Sequence, residues 1–287
     1  MIEGKRSTKT SRLRELLATR TLAIPGAFNA LVAMQIERAG YEIAYVSGAA
    51  ISACRGLQDI GLLTLSDMAT EAERIARSVS IPTIVDADTG YGGPPSVAEA
   101  VRVFEENDLA GMQIEDQETT KKCGHLSGKS LVSVEEMTAK IEAAVHAKND
   151  RDFMIIARTD ARGVEGLKAA VQRAATYVEA GADALFPEAL ESAEEFRIFA
   201  HEIHQRAVTV PLIANMTEFG KTPLLRVAEF EKLGYRGVLF PVTGLRTSLQ
   251  AIDRLLAELK LFGSQKDWLH RMMTRRELYS LLRYTDS

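Results

Sequence analysis

EGLKAAVQRAATYVEAGADALFPE, residues 165 to 188, contains the unit from which the rest of the chain can be read. Its first part runs with helical periodicity to Gly181, a residue able to take the left-handed conformation that stops a helix. The remainder, ADALFPE (182 to 188), is a short apolar run ending in a carboxylate, as a buried strand ends at a loop. The stop signal recurs. Arg38-Ala-Gly-Tyr and Lys232-Leu-Gly-Tyr repeat the pattern of Glu179-Ala-Gly-Ala, each just before another apolar run.

Working outward, seven more strand candidates appear: 21 to 26 (TLAIPG), 42 to 48 (EIAYVSG), 82 to 88 (PTIVDAD), 111 to 117 (GMQIEDQ), 153 to 160 (FMIIARTD), 210 to 215 (VPLIAN) and 237 to 241 (GVLFP). Their near-continuous apolar interiors suit strands covered on both faces, and helical segments such as 133 to 148 lie between them. Eight strand-helix units predict an α/β protein, a (β/α)8 barrel over about 21–263. The whole of 1–287 reads as one domain with an additional helical segment at about 264–287. Within that segment, 266 to 284 is helical and can close a barrel end or cross to another subunit.

Composition narrows the function classes. Apolar residues form 46% and charged residues 26% of the 287, enough to fill a large core under a solvated surface. The net charge of -4 and the lack of a long block of like charge argue against a nucleic-acid partner, the basic stretch 271 to 283 reading as a solvated helix face. No apolar stretch approaches the roughly 18 residues of a membrane span, and no apolar segment follows the basic start, so a cytoplasmic protein with no membrane partner is expected. Cys54 and Cys123 form no disulfide framework.

The reacting groups of such barrels come from the carboxyl ends of the strands. Those ends carry Ser47, Asp86, Asp88, Glu115, Asp116, Arg158, Asp160, Glu188 and Asn215. Any one of them can be a loop cap or a satisfied ion pair, but their clustering over successive strands points to a site. Asp86 and Asp88 are two apart, so their side chains share a face and can meet one cation, with Glu115 on the neighbouring strand. Hard oxygen ligands of this kind favour Mg2+ or Mn2+ over zinc. The glycines of TGYGGPP (89 to 95) match no phosphate-binding fingerprint. KKCGHLSGKSL (121 to 131) sets Cys123 between lysines and a histidine, which favours a reactive thiolate, while Cys54 reads as an ordinary structural thiol.

KKCGHLSGK resembles the signature of the isocitrate lyase and phosphoenolpyruvate mutase superfamily, especially its 2-methylisocitrate lyases. The likeness continues through AGYEIAYVSG, VDADTGYGG, IEDQ, ARTDA, EAGADALFPEA, ANMTEFGKTPL and TRRELY. The resemblance implies a Mg2+ site at Asp86 and Asp88 with Glu115 and Asp116 near its hydration shell, and Cys123 as general acid. It places substrate against Ser47, Gly48, Ala49, Cys123, Gly124, Arg158, Glu188, Asn215, Met216, Thr217, Arg246 and Arg275. Ala49 departs from the glycine of the family, which makes close backbone approach there less free. The implied reaction cleaves 2-methylisocitrate, a small carboxylate, to pyruvate and succinate, in a homotetramer whose eighth helix is exchanged between subunits. Phe186 and Pro241 match the methyl-accepting type. Cleavage of 2,3-dimethylmalate or oxaloacetate on the same scaffold is the alternative within the family, and an inactive barrel acting as a scaffold is the alternative outside it.

Overall fold

A computed structural model describes residues 7–119, 121, 128–206 and 209–284. Eight strands are present: β1 (Leu22–Ala27), β2 (Ala44–Val46), β3 (Thr83–Asp86), β4 (Gly111–Glu115), β5 (Met154–Thr159), β6 (Ala184–Pro187), β7 (Ile213–Asn215) and β8 (Gly237–Phe240). All hydrogen-bonded neighbours are parallel, in the order β6-β5-β4-β3-β2-β1-β8-β7. Leu185 pairs with Leu212, just before β7, and the Leu185 N–H donates to the Pro211 carbonyl at 3.0 Å. That bridge closes the ring into the expected (β/α)8 barrel. Apart from β1, each strand is shorter than its candidate run, whose end residues belong to the turns.

The helices are α1 (Lys9–Thr19), α2 (Ala30–Arg38), α3 (Gly48–Cys54), α4 (Leu65–Ser78), α5 (Pro94–Glu106), α6 (Val134–Ala147), α7 (Leu167–Glu179), α8 (Ala193–Gln205), α9 (Val227–Lys232), α10 (Thr243–Phe262) and α11 (Arg275–Leu281). Gly40, Gly181 and Gly234 have φ of 87°, 104° and 87°, so the recurrent glycine is a left-handed stop after α2, α7 and α9. Among the described residues, no helix is long and apolar enough to cross a membrane.

Strand residues sort by parity into two cores. Ala44, Val46, Val85, Met112, Ile114, Ile155, Ala157 and Val238 point outward to the helices. Ile24, Tyr45, Ile84, Met154, Ile156, Phe186, Ile213 and Leu239 point into the barrel, where Leu13, Leu16 and Leu17 of α1 join them from below. Burying each of those leucines stabilises the fold by roughly 2 kcal/mol. Arg14 pins this floor, donating to the Asp152 carbonyl at 2.8 Å and to Asp183 at 2.7 Å. The sequence reading began the barrel at residue 21 and did not anticipate α1.

The segment after the eighth unit is a 3-10 turn, Lys266–Arg271, followed by α11. Arg283 pairs with Glu37 of α2 at 2.9 Å, so the segment lies along the outside of the barrel. Of the twenty residues of α10, only Leu245 is buried, and Leu249, Ile252 and Leu256 are about half exposed. Cys54, expected as an ordinary buried thiol, is an exposed free cysteine at the end of α3.

Candidate active site

The inward parity that brings Ile84, Ile156, Phe186 and Ile213 into the barrel also brings in the polar residues two positions further on: Asp86, Arg158, Glu188 and Asn215. Together with Ser47 and Tyr45 they line a cavity of about 100 Å³ at the carboxyl ends of the strands. Ala49, Thr217 and Arg246 also line it, and Phe186, Leu239, Pro241 and Val242 supply apolar wall. Ser47 caps α3 by accepting the Ala50 N–H at 3.3 Å. Arg246 stays at the edge, with a side chain 47% exposed, 3.6 Å from Glu218 and stacked over Phe219.

Asp86 and Asp88 do come together, but by a different device from strand alternation. The strand ends at Asp86, and Asp88 has a φ of 49°, so a left-handed turn brings its backbone N–H to Asp86 Oδ1 at 3.2 Å. Gly48 donates its N–H to Asp86 Oδ2 at 3.2 Å. A Cβ at Gly48 would stand 3.0 Å from that oxygen, and only glycine lets the backbone approach so closely. Lys121 is buried and pairs with Asp59 at 2.8 Å and also with Asp88. Neither Asp59, from the loop before α4, nor Tyr45 had been singled out in the sequence; Tyr45 was legible, being in phase with Ser47.

Burial pushes the Asp88 carboxyl up to about 6, with Asp86 adding repulsion and Lys121 opposing both. Burial likewise raises Glu115 to about 8 against the pull of Arg158, 3.3 Å away, and of Lys121. Burial disfavours the Lys121 charge, but Glu115, Asp88, Asp86 and Asp59 together hold the ammonium protonated well above its ordinary range. The Tyr45 phenol, raised by burial and then by Asp86, stays protonated and donates to Gln113 at 2.8 Å.

Asp59, Asp86, Asp88, Asp160 and Glu188 still outnumber Lys121, Lys129, Arg158 and Arg246 among the described residues in and behind the cavity, an imbalance that a divalent cation would relieve. The oxygen-only donor set fits Mg2+ or Mn2+. Among the described residues no three His, Cys, Asp or Glu side chains surround one point. A cation held by Asp86 and Asp88 would therefore complete its shell with water or substrate, as Mg2+ commonly does.

Three residues expected at the site lie elsewhere. Asp116 follows Glu115 and so has the outward parity. Its carboxylate accepts from Thr159 at 2.7 Å, from the Asp160 N–H at 2.8 Å and from Tyr177 of α7 at 2.8 Å. Met216, between Asn215 and Thr217, is buried in the outer core, where its sulfur accepts the Leu225 N–H at 3.4 Å. Arg275 is exposed in the first turn of α11 and does not line the cavity of its own chain. Cys123, Gly124 and the neighbouring Lys122 and His125 lie outside the described residues.

Residues 13–260 match the family model described as phosphoenolpyruvate phosphomutase, and the chain belongs to that family of (β/α)8-barrel enzymes. Within it, the chain is 52% identical over 275 residues to the 2-methylisocitrate lyase of Aeropyrum pernix, covering 96% of this chain and 87% of that one. It is 47% identical over 276 residues to the 2-methylisocitrate lyase of Bacillus subtilis, covering 96% and 89%. By that similarity it is a carbon–carbon lyase of the kind those relatives represent. Among solved structures it is similar to an oxaloacetate acetylhydrolase bound to 3,3-difluorooxalacetate (TM-score 0.89, 33% identity, 97% and 94% of the two chains). A 2,3-dimethylmalate lyase gives a TM-score of 0.88 at 36% identity over 96% and 92%. A phosphonopyruvate hydrolase in complex with oxalate and Mg++ gives 0.87 at 30% over 96% and 95%.

Proposed function

We propose that this lyase cleaves 2-methylisocitrate to pyruvate and succinate with Mg2+, or Mn2+ in its place. The observation that carries the substrate choice is the mixed lining of the cavity, in which Asp86 and Arg158 share the site with an apolar wall of Phe186, Leu239, Pro241 and Val242. A substrate with several carboxylates and one methyl group fits such a wall. The relatives at 47% to 52% identity bear the name of that activity, which supports the same reading. A methyl group is worth only about 1 to 3 kcal/mol of discrimination. The same wall and the 2,3-dimethylmalate lyase neighbour therefore support a second reading, cleavage of 2,3-dimethylmalate.

Asp86 and Asp88 would hold the cation, which when bound supplies Lewis-acid polarisation of the hydroxyl and carboxylate of the pyruvate half. Ser47, Gly48 and Ala49 orient that half, while Arg158 and Arg246 pair with the remaining carboxylates. The bond between the hydroxyl-bearing carbon and its neighbour breaks as the hydroxyl proton passes to a general base and the hydroxyl oxygen becomes the pyruvate carbonyl. The electron pair passes to the succinate half as an enediolate, and positive groups fixed beside it lower the barrier. Cys123, in the role that the family resemblance gives it, returns a proton to that carbon.

In the same reading the chain works as a homotetramer that exchanges α10. Leu249, Ile252 and Leu256 leave an exposed apolar stripe at helical spacing on α10. Arg275, a residue of a substrate-contacting motif, stands outside its own chain's cavity.

A panel of 2-methylisocitrate, isocitrate, 2,3-dimethylmalate and oxaloacetate with Mg2+, followed by pyruvate or glyoxylate release, tests the substrate. The first should exceed the others in kcat/KM, and a preference for 2,3-dimethylmalate would replace the reading. Cys123→Ser should lower kcat and kcat/KM together by orders of magnitude while substrate still binds, since a hydroxyl is a much weaker acid than a thiol of pKa about 8.5. Turnover within about threefold of the unmodified chain, a barrier change below about 1 kcal/mol, would remove Cys123 as the acid.

A further inference from the structure

Behind Arg158 lies an ionic assembly that the reaction does not directly use. Asp160 is 0% exposed, and its carboxylate accepts from Arg158 Nε at 2.9 Å, from Arg158 Nη2 at 3.2 Å and from Lys129 Nζ at 2.6 Å. One step further back, Asp116 holds the chain that carries Asp160, through the Asp160 N–H and the Thr159 hydroxyl. Tyr177 and, at 3.7 Å, Arg173 complete the surroundings of Asp116, and Arg173 is forked to Glu165 at 2.8 and 2.7 Å.

We propose that Asp160, seated on Asp116, is a positioning residue that fixes which edge of Arg158 meets the substrate. Three carboxylates compete for this guanidinium: Asp160, Glu115 at 3.3 Å and Glu188 at 3.7 Å. A planar guanidinium can present a forked pair of N–H groups to one carboxylate at a time. Asp160 takes the Nε and Nη2 edge. The Nη1 edge is thereby turned toward Glu115, Glu188 and the cavity, with the Phe186 ring 5.3 Å beneath the guanidinium carbon. Fixing the fork before substrate arrives leaves less side-chain freedom to be lost on binding, which is how preorganisation raises affinity.

Asp160→Asn keeps the shape but leaves one carbonyl oxygen to serve both cations, and puts an amide donor against one of them. Arg158 then turns toward Glu115 and Glu188. The inference rests on the reading of the cavity as the substrate site, so the test has two arms. In the kinetic arm, KM for 2-methylisocitrate and the inhibition constant of succinate should both rise by about tenfold or more, with kcat falling less. A purely structural Asp160 would lower Tm and leave both constants of the folded enzyme unchanged, which overturns the proposal.

The second arm needs no substrate. The Arg158 Nε–H signal in a 15N-correlated spectrum should exchange slowly in the unmodified chain and about tenfold or more faster in Asp160→Asn. An unchanged exchange rate overturns the positioning role. A protected Nε–H in an unmodified chain that fails to turn over 2-methylisocitrate would sink the proposed reaction and leave the positioning role standing. Should Asp160→Asn fail to fold, Thr159→Val, which removes one of the two Asp116 contacts, must move the same exchange rate in the same direction.

Discussion

The two ends of the barrel interior are built from the same strands and could hardly differ more. At the floor, Met154 and Ile156 of β5 and Ala184 of β6 pack with Leu13, Leu16 and Leu17 of α1. A few ångströms along those strands the same face presents Arg158 and Glu188. Burial stabilises the first end at roughly 25 cal/mol per Å² of apolar surface. The same burial opposes the second, as the upward shifts of Asp88 and Glu115 record. A closed floor thus lets the rim hold charges that would be unfavourable in an isolated cluster, and stability and chemistry should be separable by mutation.

The largest effect should come from the rim. Asp88→Ala or Asp86→Ala is expected to reduce turnover by at least about a thousandfold, some 4 kcal/mol in barrier, while Tm stays level or rises because a buried like charge has gone. Chelation with EDTA should reproduce the activity loss in the unmodified chain. Full activity of either variant after exhaustive chelation would end the metal assignment, and a steep fall in Tm would show that the rim carries the fold after all.

The floor should behave in the opposite way. Leu17→Ala is expected to cost about 2 to 5 kcal/mol of stability by chemical denaturation and to leave kcat/KM within about twofold. Loss of activity in the fully folded variant would mean that the ends communicate and the comparison is too simple.

The smallest effect, taken per pH unit, is a pH dependence. Burial raises the Glu115 carboxyl from 4.5 to about 8, so the folded chain holds a proton that the unfolded chain releases. Its contribution to stability is complete below about 4.5 and is lost as pH rises through about 8, with a slope of at most about 1.4 kcal/mol per pH unit. Glu115→Gln should flatten that part of the stability profile in metal-free protein. An unchanged slope would assign it to other groups.

Parity explains what the sequence could reveal about this site and what it could not. Apolar runs of strand length between helical segments were enough for the barrel, and alternation alone assigns Glu115 inward and Asp116 outward, Asn215 inward and Met216 outward. Placing Asp116 near the hydration shell of the metal and Met216 against the substrate followed the resemblance over the geometry. Asp88 reached its place by a left-handed turn that no residue pattern announces. The pairing of Lys121 with Asp59 joins two loops 62 positions apart, a distance over which local spacing carries no information. The floor was hidden for a similar reason, since the apolar partners of α1 are distributed over the strands and no short window contains them.

That last feature sets a timetable for synthesis. Helix α1 is made before every strand, yet its complete seat exists only once β8 has paired with β1, through contacts such as Leu22 with Gly237. At about 5 to 20 residues per second, the leucines of α1 wait on the order of ten to fifty seconds for that seat. Throughout that interval an apolar helix face is without its full set of native partners, and its final docking is completed only when the barrel closes.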